Sequence, residues 1–380
     1  MNFWHSLPQP IIGLAPMDGV TDAAFRLTVA QQGPADVSFT EFTSVSDICR
    51  GPEFLLSSLI YHEVERPVIA QLYGKDPALF YQAAHIVCEL GFDGLDINMG
   101  CPSRNVASSG SGAGLIRTPD LAHEIIRAAR QGIVDWIAGQ SLEQAGLKVA
   151  RVELIHAMNV NRGGTGTTPR REIPLSVKTR IGYDTVVIEP WISHLLEERP
   201  TAITVHGRTL EQMYRGQADW MAISRAAALA RQTDTVLLGN GDLQSMGDVV
   251  RRVGESRVHG VLIGRGALGS PWVFRAAAGT RLACIAGESS IAEPTVPLAE
   301  RFQVMLDHAW QFESIFGQGR FPRMRKHLGW YAKGFPGAAV MRGAMVRTCS
   351  SADVQRLVTH YWSGLTDGPG MTDLVAETRA

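Results

Sequence analysis

Short apolar runs, interleaved with polar positions, recur from residue 11 to residue 264 and alternate with segments of helix length. The runs at 11–17, 37–42, 67–74, 94–100, 175–181, 202–207, 235–240 and 260–264 read as strands, and those at 77–91, 119–132, 219–232 and 245–254 read as helices. Capping signals agree: Asp76-Pro77 and Thr118-Pro119 put proline at a first helical position, and Gly91 and Gly254 fall at helix ends. Eight strands separated by helices in about 270 residues predict an α/β fold, a (β/α)8 TIM barrel. A doubly wound open sheet is the structural alternative, but it usually carries a GxGxxG turn after the first strand, and the sequence there is LAPMDG.

Two departures from a minimal barrel stand out. Residues 139–174 add roughly 36 residues where a barrel needs a short helix-to-strand connection. Their second half, NVNRGGTGTTPRRE, is polar, rich in Gly and Thr, and basic, which predicts a partly mobile peripheral excursion on the N-terminal face of the barrel. After a linker at 283–297, the pattern becomes purely helical, at 298–316, 321–333, 336–348 and 351–362. The expected division is a catalytic barrel at 1–282, a small C-terminal helical-bundle domain at 298–365 and a tail at 366–380.

Composition narrows the function classes. A net charge of −1 gives no global field to draw in nucleic acid, so any basic surface is local. Five cysteines without a close pair argue against a CxxC zinc site and for reduced thiols in the cytoplasm; no metal is expected. The N-terminus has no basic region followed by an apolar run, and no apolar stretch approaches about 18 residues, so neither a signal peptide nor a membrane span is expected.

Candidate chemistry gathers at the C-terminal ends of the strands. The stretch GLDINMGCPSRNVASSGSGAGL ends a strand at Gly100 and places Cys101 between Gly100 and Pro102, ahead of a Gly/Ser-rich loop suited to close ligand approach. Successive strand ends carry Asp18, Gln71, Asn98, then Lys178 with Arg180, then His206 with Arg208. The last two carry Asn240-Gly241-Asp242 and Gly264-Arg265-Gly266, where barrels commonly bind phosphate. Cys101 has no histidine partner in its own loop. An unactivated thiol titrates near pH ~8.5 and suits proton donation better than nucleophilic attack.

LAPMDGVTD, QLYG, DINMGCPS, VKTRIGYD, TVHGRTLEQMYRG, GNGD and GVLIGRGALGSPWVF resemble, in order, the motifs of tRNA-dihydrouridine synthases, and RKHLGWYAKGFPG resembles that family's tRNA-contacting region. The resemblance implies an enzyme that uses FMN and NADPH to reduce the C5=C6 bond of particular uridines in tRNA. Hydride would pass from reduced flavin N5 to C6, with Cys101 as the acid at C5. By motif, Pro16, Met17, Gln71, Lys178 and His206 would surround the flavin ring. Asn240, Gly241, Asp242, Gly264 and Arg265 would hold its ribityl phosphate, and Asn98 and Arg180 would meet the uracil. The chain is expected to act as a monomer.

The C-terminal helices speak for RNA independently. From Ser314 to Ala352 there is no Asp or Glu but seven Lys or Arg, with Phe321, Trp330, Tyr331 and Phe335 among them. Arg323, Arg325 and Lys326 are the expected phosphate contacts. Two rivals are a small-molecule flavin dehydrogenase of the dihydroorotate class, which leaves the basic tail unexplained, and an RNA-binding module with a silent barrel, against which Cys101 and Lys178 speak.

Overall fold

The computed structural model describes residues 2–163, 168–293 and 295–367. Nine parallel strands form its sheet: β1 (Ile11–Leu14), β2 (Ser38–Phe39), β3 (Thr43–Ser44), β4 (Val68–Tyr73), β5 (Gly94–Met99), β6 (Leu175–Arg180), β7 (Ala202–His206), β8 (Val236–Asn240) and β9 (Gly260–Ile263). Their order is β1-β9-β8-β7-β6-β5-β4-β2, with β3 also on β4. The ring closes where the Leu14 amide donates to the Val37 carbonyl at 2.9 Å and the Asp36 amide to the Ile12 carbonyl at 3.0 Å. The eight-stranded barrel read from the sequence is therefore present, with its second strand broken into β2 and β3. The break has a local cause. Thr40 Oγ1 accepts the Gln71 amide at 3.0 Å and donates to the Glu41 carbonyl at 2.9 Å, so a side chain takes over ladder bonds that the backbone would make.

Side chains alternate across the barrel wall. Ile12, Leu14, Ala70, Ile97, Val177, Val205 and Val261 pack outward against the helices. Ile11, Val37, Phe39, Ile69, Ala202, Val236, Leu238 and Leu262 fill the interior, plugged from below by Trp4, which is 1% exposed. The same inward faces continue upward as Gln71, Asp96, Asn98, Ser176, Lys178, Arg180, His206 and Asn240, with register partners Gln71 with Asp96, Asn98 with Lys178, and Arg180 with His206. The barrel is thus apolar at its base and polar at its C-terminal mouth.

The inserted segment contains a helix, Val149–Asn161, which buries Val152 and Ile155. Its basic residues are anchors. Arg151 donates to the Gly51 carbonyl, Arg171 pairs with Asp93 at 2.8 Å, and Arg162 lies over the Tyr61 ring at 4.2 Å. Asn159 and Thr168 both donate to the Glu89 carbonyl at the C-terminal end of helix Pro77–Glu89. Asp93, Glu89 and Tyr61 lie just ahead of the start of β5, on the N-terminal side of the barrel. The mobility expected of the segment's Gly/Thr stretch falls mostly on residues 164–167, outside the described residues.

Helix Ala277–Ala286 runs into the stretch expected to be linker. The C-terminal helices Leu298–Phe316, Arg325–Tyr331, Ala338–Met345 and Ser351–Asp367 enclose their own core of Phe302, Met305, Phe312, Phe321, Leu328 and Tyr331. Pro322 makes the entry to the second of them a 3-10 turn, Gln318–Met324. The bundle docks on helix Ala23–Gln32 of the barrel, where Phe25 meets the rings of His308 and His327 at 5.6 and 5.2 Å and Thr28 donates to Gln311 at 3.0 Å. Gly269 is required at the same junction: its φ is +66°, and a Cβ there would collide with the Trp330 carbonyl. The helix at 351–367 reaches the start of the expected tail, whose residues 368–380 lie outside the described residues. Among the described residues no helix is long and apolar enough to cross a membrane. All five cysteines are free.

Candidate active site

A cavity of about 510 Å³ opens at the C-terminal mouth of the barrel. Its wall brings together Pro16, Met17, Gln71, Asn98, Cys101, Lys178, Arg180, His206, Asn240, Gly241, Asp242, Gly264 and Arg265. These residues come from seven different strand ends, and the sequence singles out each of them.

One hydrogen-bond chain fixes the thiol loop. The Asp96 carboxylate, 0% exposed, accepts from Ser176 Oγ at 2.6 Å and Gln71 Nε2 at 2.8 Å. Gln71 Oε1 accepts from Asn98 Nδ2 at 2.9 Å, and Asn98 Oδ1 accepts the Gly100 and Cys101 amides at 3.0 and 2.8 Å. A carboxylate can only accept, so Asp96 orients both side-chain amides and, through them, the backbone of Cys101. Burial pushes the Asp96 carboxyl up to about 6. Burial also raises the Cys101 thiol, against the lowering pull of the Ser103 amide, so it is protonated at neutral pH.

Cations converge opposite. Lys178 Nζ donates to Asn240 Oδ1 at 3.2 Å, and Asn240 Nδ2 to the Leu262 carbonyl at 2.8 Å. Arg180 donates to the Gly100 and Thr209 carbonyls at 2.6 and 3.1 Å, tying β6 to the Cys101 loop. Burial, then the neighbouring Arg180, pulls Lys178 down to about 8, and burial brings Arg180 to about 10. Burial and these cations hold His206 well below its ordinary value, so its imidazole is neutral.

Further along the wall, the Asp242 carboxylate pairs with Arg208 at 2.7 Å and Arg265 at 2.9 Å and accepts the Ala218 amide at 2.7 Å. Burial opposes its ionisation, but the Ala218 amide and Arg208 outweigh it and keep the carboxyl below its ordinary value. Its carboxylate therefore organises arginines and is not itself open to an anion. Gly241 has φ at +130°, and a Cβ there would lie 2.7 Å from Ala218 Cβ.

The three basic residues expected to meet phosphate separate. Arg323 is exposed on a neighbouring groove. Arg325 turns to the Thr348 carbonyl at 2.8 Å and Cys349 Sγ at 3.3 Å. The half-buried Lys326 lies near Gly19, facing Asp22 and Glu41. Of the aromatics among them, Phe321 and Tyr331 are core residues at 0% and 1% exposure, so they offer no stacking surface.

Sequence reasoning misses Asp96 and Ser176 as site residues, and also Phe42, Met213 and Tyr214 on the cavity wall. Period-two alternation could have found the first two; nothing local marks the others. Away from the mouth, His123, His194 and Glu197 bring three ligand atoms together. The two imidazoles stack face to face at 3.6 Å and 4°, however, so their lone pairs do not converge on one ion.

The family model described as "Dihydrouridine synthase (Dus)" matches residues 13–135 and 165–361, pausing over most of the inserted segment. The "Probable tRNA-dihydrouridine synthase 2" of Bacillus subtilis (strain 168) is 32% identical over 374 residues, 97% of this chain and 98% of that protein. The "Probable tRNA-dihydrouridine synthase" of Staphylococcus aureus (strain COL) is 29% identical over 365 residues, 95% of each. Among solved structures, DHODH from Eimeria tenella in complex with ferulenol matches with a TM-score of 0.48 and 15% identity, over 73% of this chain and 82% of that one, too loosely to bear on chemistry. With the family model covering both the barrel and the helical bundle, the chain belongs to the dihydrouridine synthase family.

Proposed function

We propose that this chain reduces the C5=C6 bond of uridines in tRNA to dihydrouridine, with FMN as its cofactor and NADPH as the reductant. The observation that carries this reading is the meeting of Cys101, Asn98 and Lys178 with the loops at Gly241 and Gly264 around one cavity. The wall suits FMN. Lys178 offers an ammonium beside Pro16, Met17, Gln71 and His206 for an anionic ring edge, and Arg265 stands with the backbone of 240–242 and 264 at the phosphate end. Arg208 stands behind Asp242 at this end, off the cavity wall, and adds positive charge there.

Bound FMN supplies the hydride that goes to uracil C6. Cys101 holds the proton that C5 needs, because its buried thiol stays protonated. Asn98 keeps the Cys101 backbone in place while its cavity-facing surface meets the uracil, and Arg180 stands beside it. The target uridine leaves its stack to enter the cavity. Residues 1–282 carry the chemistry, and the helices at 298–365 hold tRNA through Arg320 and Arg323.

The test is a Cys101→Ala variant. Its flavin should be reduced by NADPH at the normal rate, while dihydrouridine formation in tRNA falls by about 10²–10⁴-fold. Normal turnover by that variant would remove Cys101 from the acid role. Purified protein lacking flavin, or inactive on every tRNA, would overturn the reading itself.

A further inference from the structure

Beside the active cavity lies a second space, a groove of about 650 Å³ between the barrel mouth and the helical bundle. It shares Asp18, Phe42 and Ser103 with the cavity, so the two are continuous. The break between β2 and β3 creates it by turning Glu41 and Phe42 out of the ladder. Phe42 meets Tyr73 edge-on at 5.3 Å, and Phe54, 57% exposed, faces the same space. Arg320 and Arg323 come from the bundle on the other side.

Glu41 is the anomaly. It is 8% exposed, yet among the described residues its carboxylate has neither a hydrogen bond nor an ion pair. Its oxygens open onto the groove, where water meets them until a ligand carrying N–H donors takes that water's place. Asp22, Asp18, Arg26, Arg323 and Lys326 are the charges facing it. A divalent cation is not the answer, since among the described residues the groove's carboxylates form no cluster with three ligand atoms within 4.8 Å.

We infer that this groove is a second nucleobase subsite, in which an unstacked guanine neighbouring the target uridine is read by the Glu41 carboxylate through its N1–H and N2–H₂ edge. The inference rests on the tRNA reading above. A carboxylate has two acceptor oxygens side by side, and among the four bases guanine alone offers two adjacent donors on its pairing edge. Phe42, Tyr73 and Phe54 give aromatic surface for the base, and the two arginines meet the phosphates that flank it. Continuity with the cavity matches the chain continuity of adjoining nucleotides. Burial, with Asp22 and Asp18, pushes Glu41 up to about 7, so a ligand bringing two N–H donors would also favour its ionised form.

The test pairs protein and RNA variants with the full-length holoenzyme. Transcripts of a substrate tRNA are made in which each guanine within two nucleotides of the target uridine is replaced, one at a time, by inosine, which lacks the 2-amino group. At one position, wild-type kcat/KM should fall about ten-fold or more, the loss of one charge-assisted hydrogen bond. E41Q should be impaired on the unsubstituted transcript and lose less than about three-fold further on the inosine one, since the partner of the missing amine is already gone. Wild-type turnover indifferent to every replacement overturns the inference, and that arm stands even if E41Q fails to fold. Equal inosine penalties in both proteins overturn it too, and would make Glu41 a packing or proton-supplying group. No dihydrouridine from wild type on the unsubstituted transcript would overturn the tRNA reading along with it.

Discussion

Replacing Asp96 with Asn tests whether a buried charge orients the active loop. The carboxylate is fully buried, and burial raises it from 3.8 to about 6 despite the bonds from Ser176 and Gln71. That gap corresponds to roughly 3 kcal/mol of penalty on the ionised form in the folded state. The sign follows from linkage. Between pH 3.8 and about 6 the folded protein keeps a proton that the unfolded chain has released, so this group's contribution to stability falls as pH rises through that window and is flat above it. An asparagine amide does not titrate. The stability of Asp96→Asn relative to wild type should therefore rise by about 1.4 kcal/mol between about pH 5 and pH 8, read from urea denaturation. Function should move the other way. The substituted amide presents both a donor and an acceptor, so the Gln71 amide is no longer held in one orientation. A flipped Gln71 turns Asn98 as well and sets its NH₂ against the Gly100 and Cys101 amides. Dihydrouridine formation should drop while the fold becomes more resistant to urea. A stability difference that is the same at both pH values would show that Asp96 carries no buried charge, and the orienting role would go with it.

Lys178→Met should raise resistance to denaturant at neutral pH and weaken flavin retention; because burial lowers Lys178 to about 8, wild type gains stability as pH rises from 8 toward 10.5, and the gap between the two proteins should close over that range. Arg323→Ala should reduce the salt slope of tRNA binding by about 0.7–0.9, measured by titration at two salt concentrations. Arg325→Ala should leave that slope alone and lower the melting temperature, since it loses the bond to the Thr348 carbonyl, worth about 1.5 kcal/mol. Exchanging residues 146–171 for a Gly/Ser linker should cost about 3–6 kcal/mol through the lost burial of Val152 and Ile155, with flavin content per folded molecule unchanged. An unfolding midpoint equal to wild type would show that the helix contributes no stability.

The barrel is legible in the chain alone, because a strand needs only a few residues of alternating character and because proline and glycine punctuate the helices between strands. So is the ring of strand-end residues from Pro16 to Arg265, since side-chain alternation and turn position are local properties that periodicity records. What each polar residue faces is another matter. Asp96 sits in the same DIN run as Asn98, yet closure of the sheet is what brings Ser176 and Gln71 to it and makes it the anchor of the Cys101 loop. Asp242 reads as part of a phosphate loop, but its carboxylate is taken by Arg208, 34 residues away in the chain. Arg323 and Arg325 lie two positions apart in the sequence, and one faces a groove while the other caps the Thr348 carbonyl. The unpaired Glu41 follows from a broken strand that no periodicity announces. Local pattern specifies which face of an element is polar. Which partner, or which open space, that face meets depends on contacts distant in the chain, and those are set only when the whole core packs.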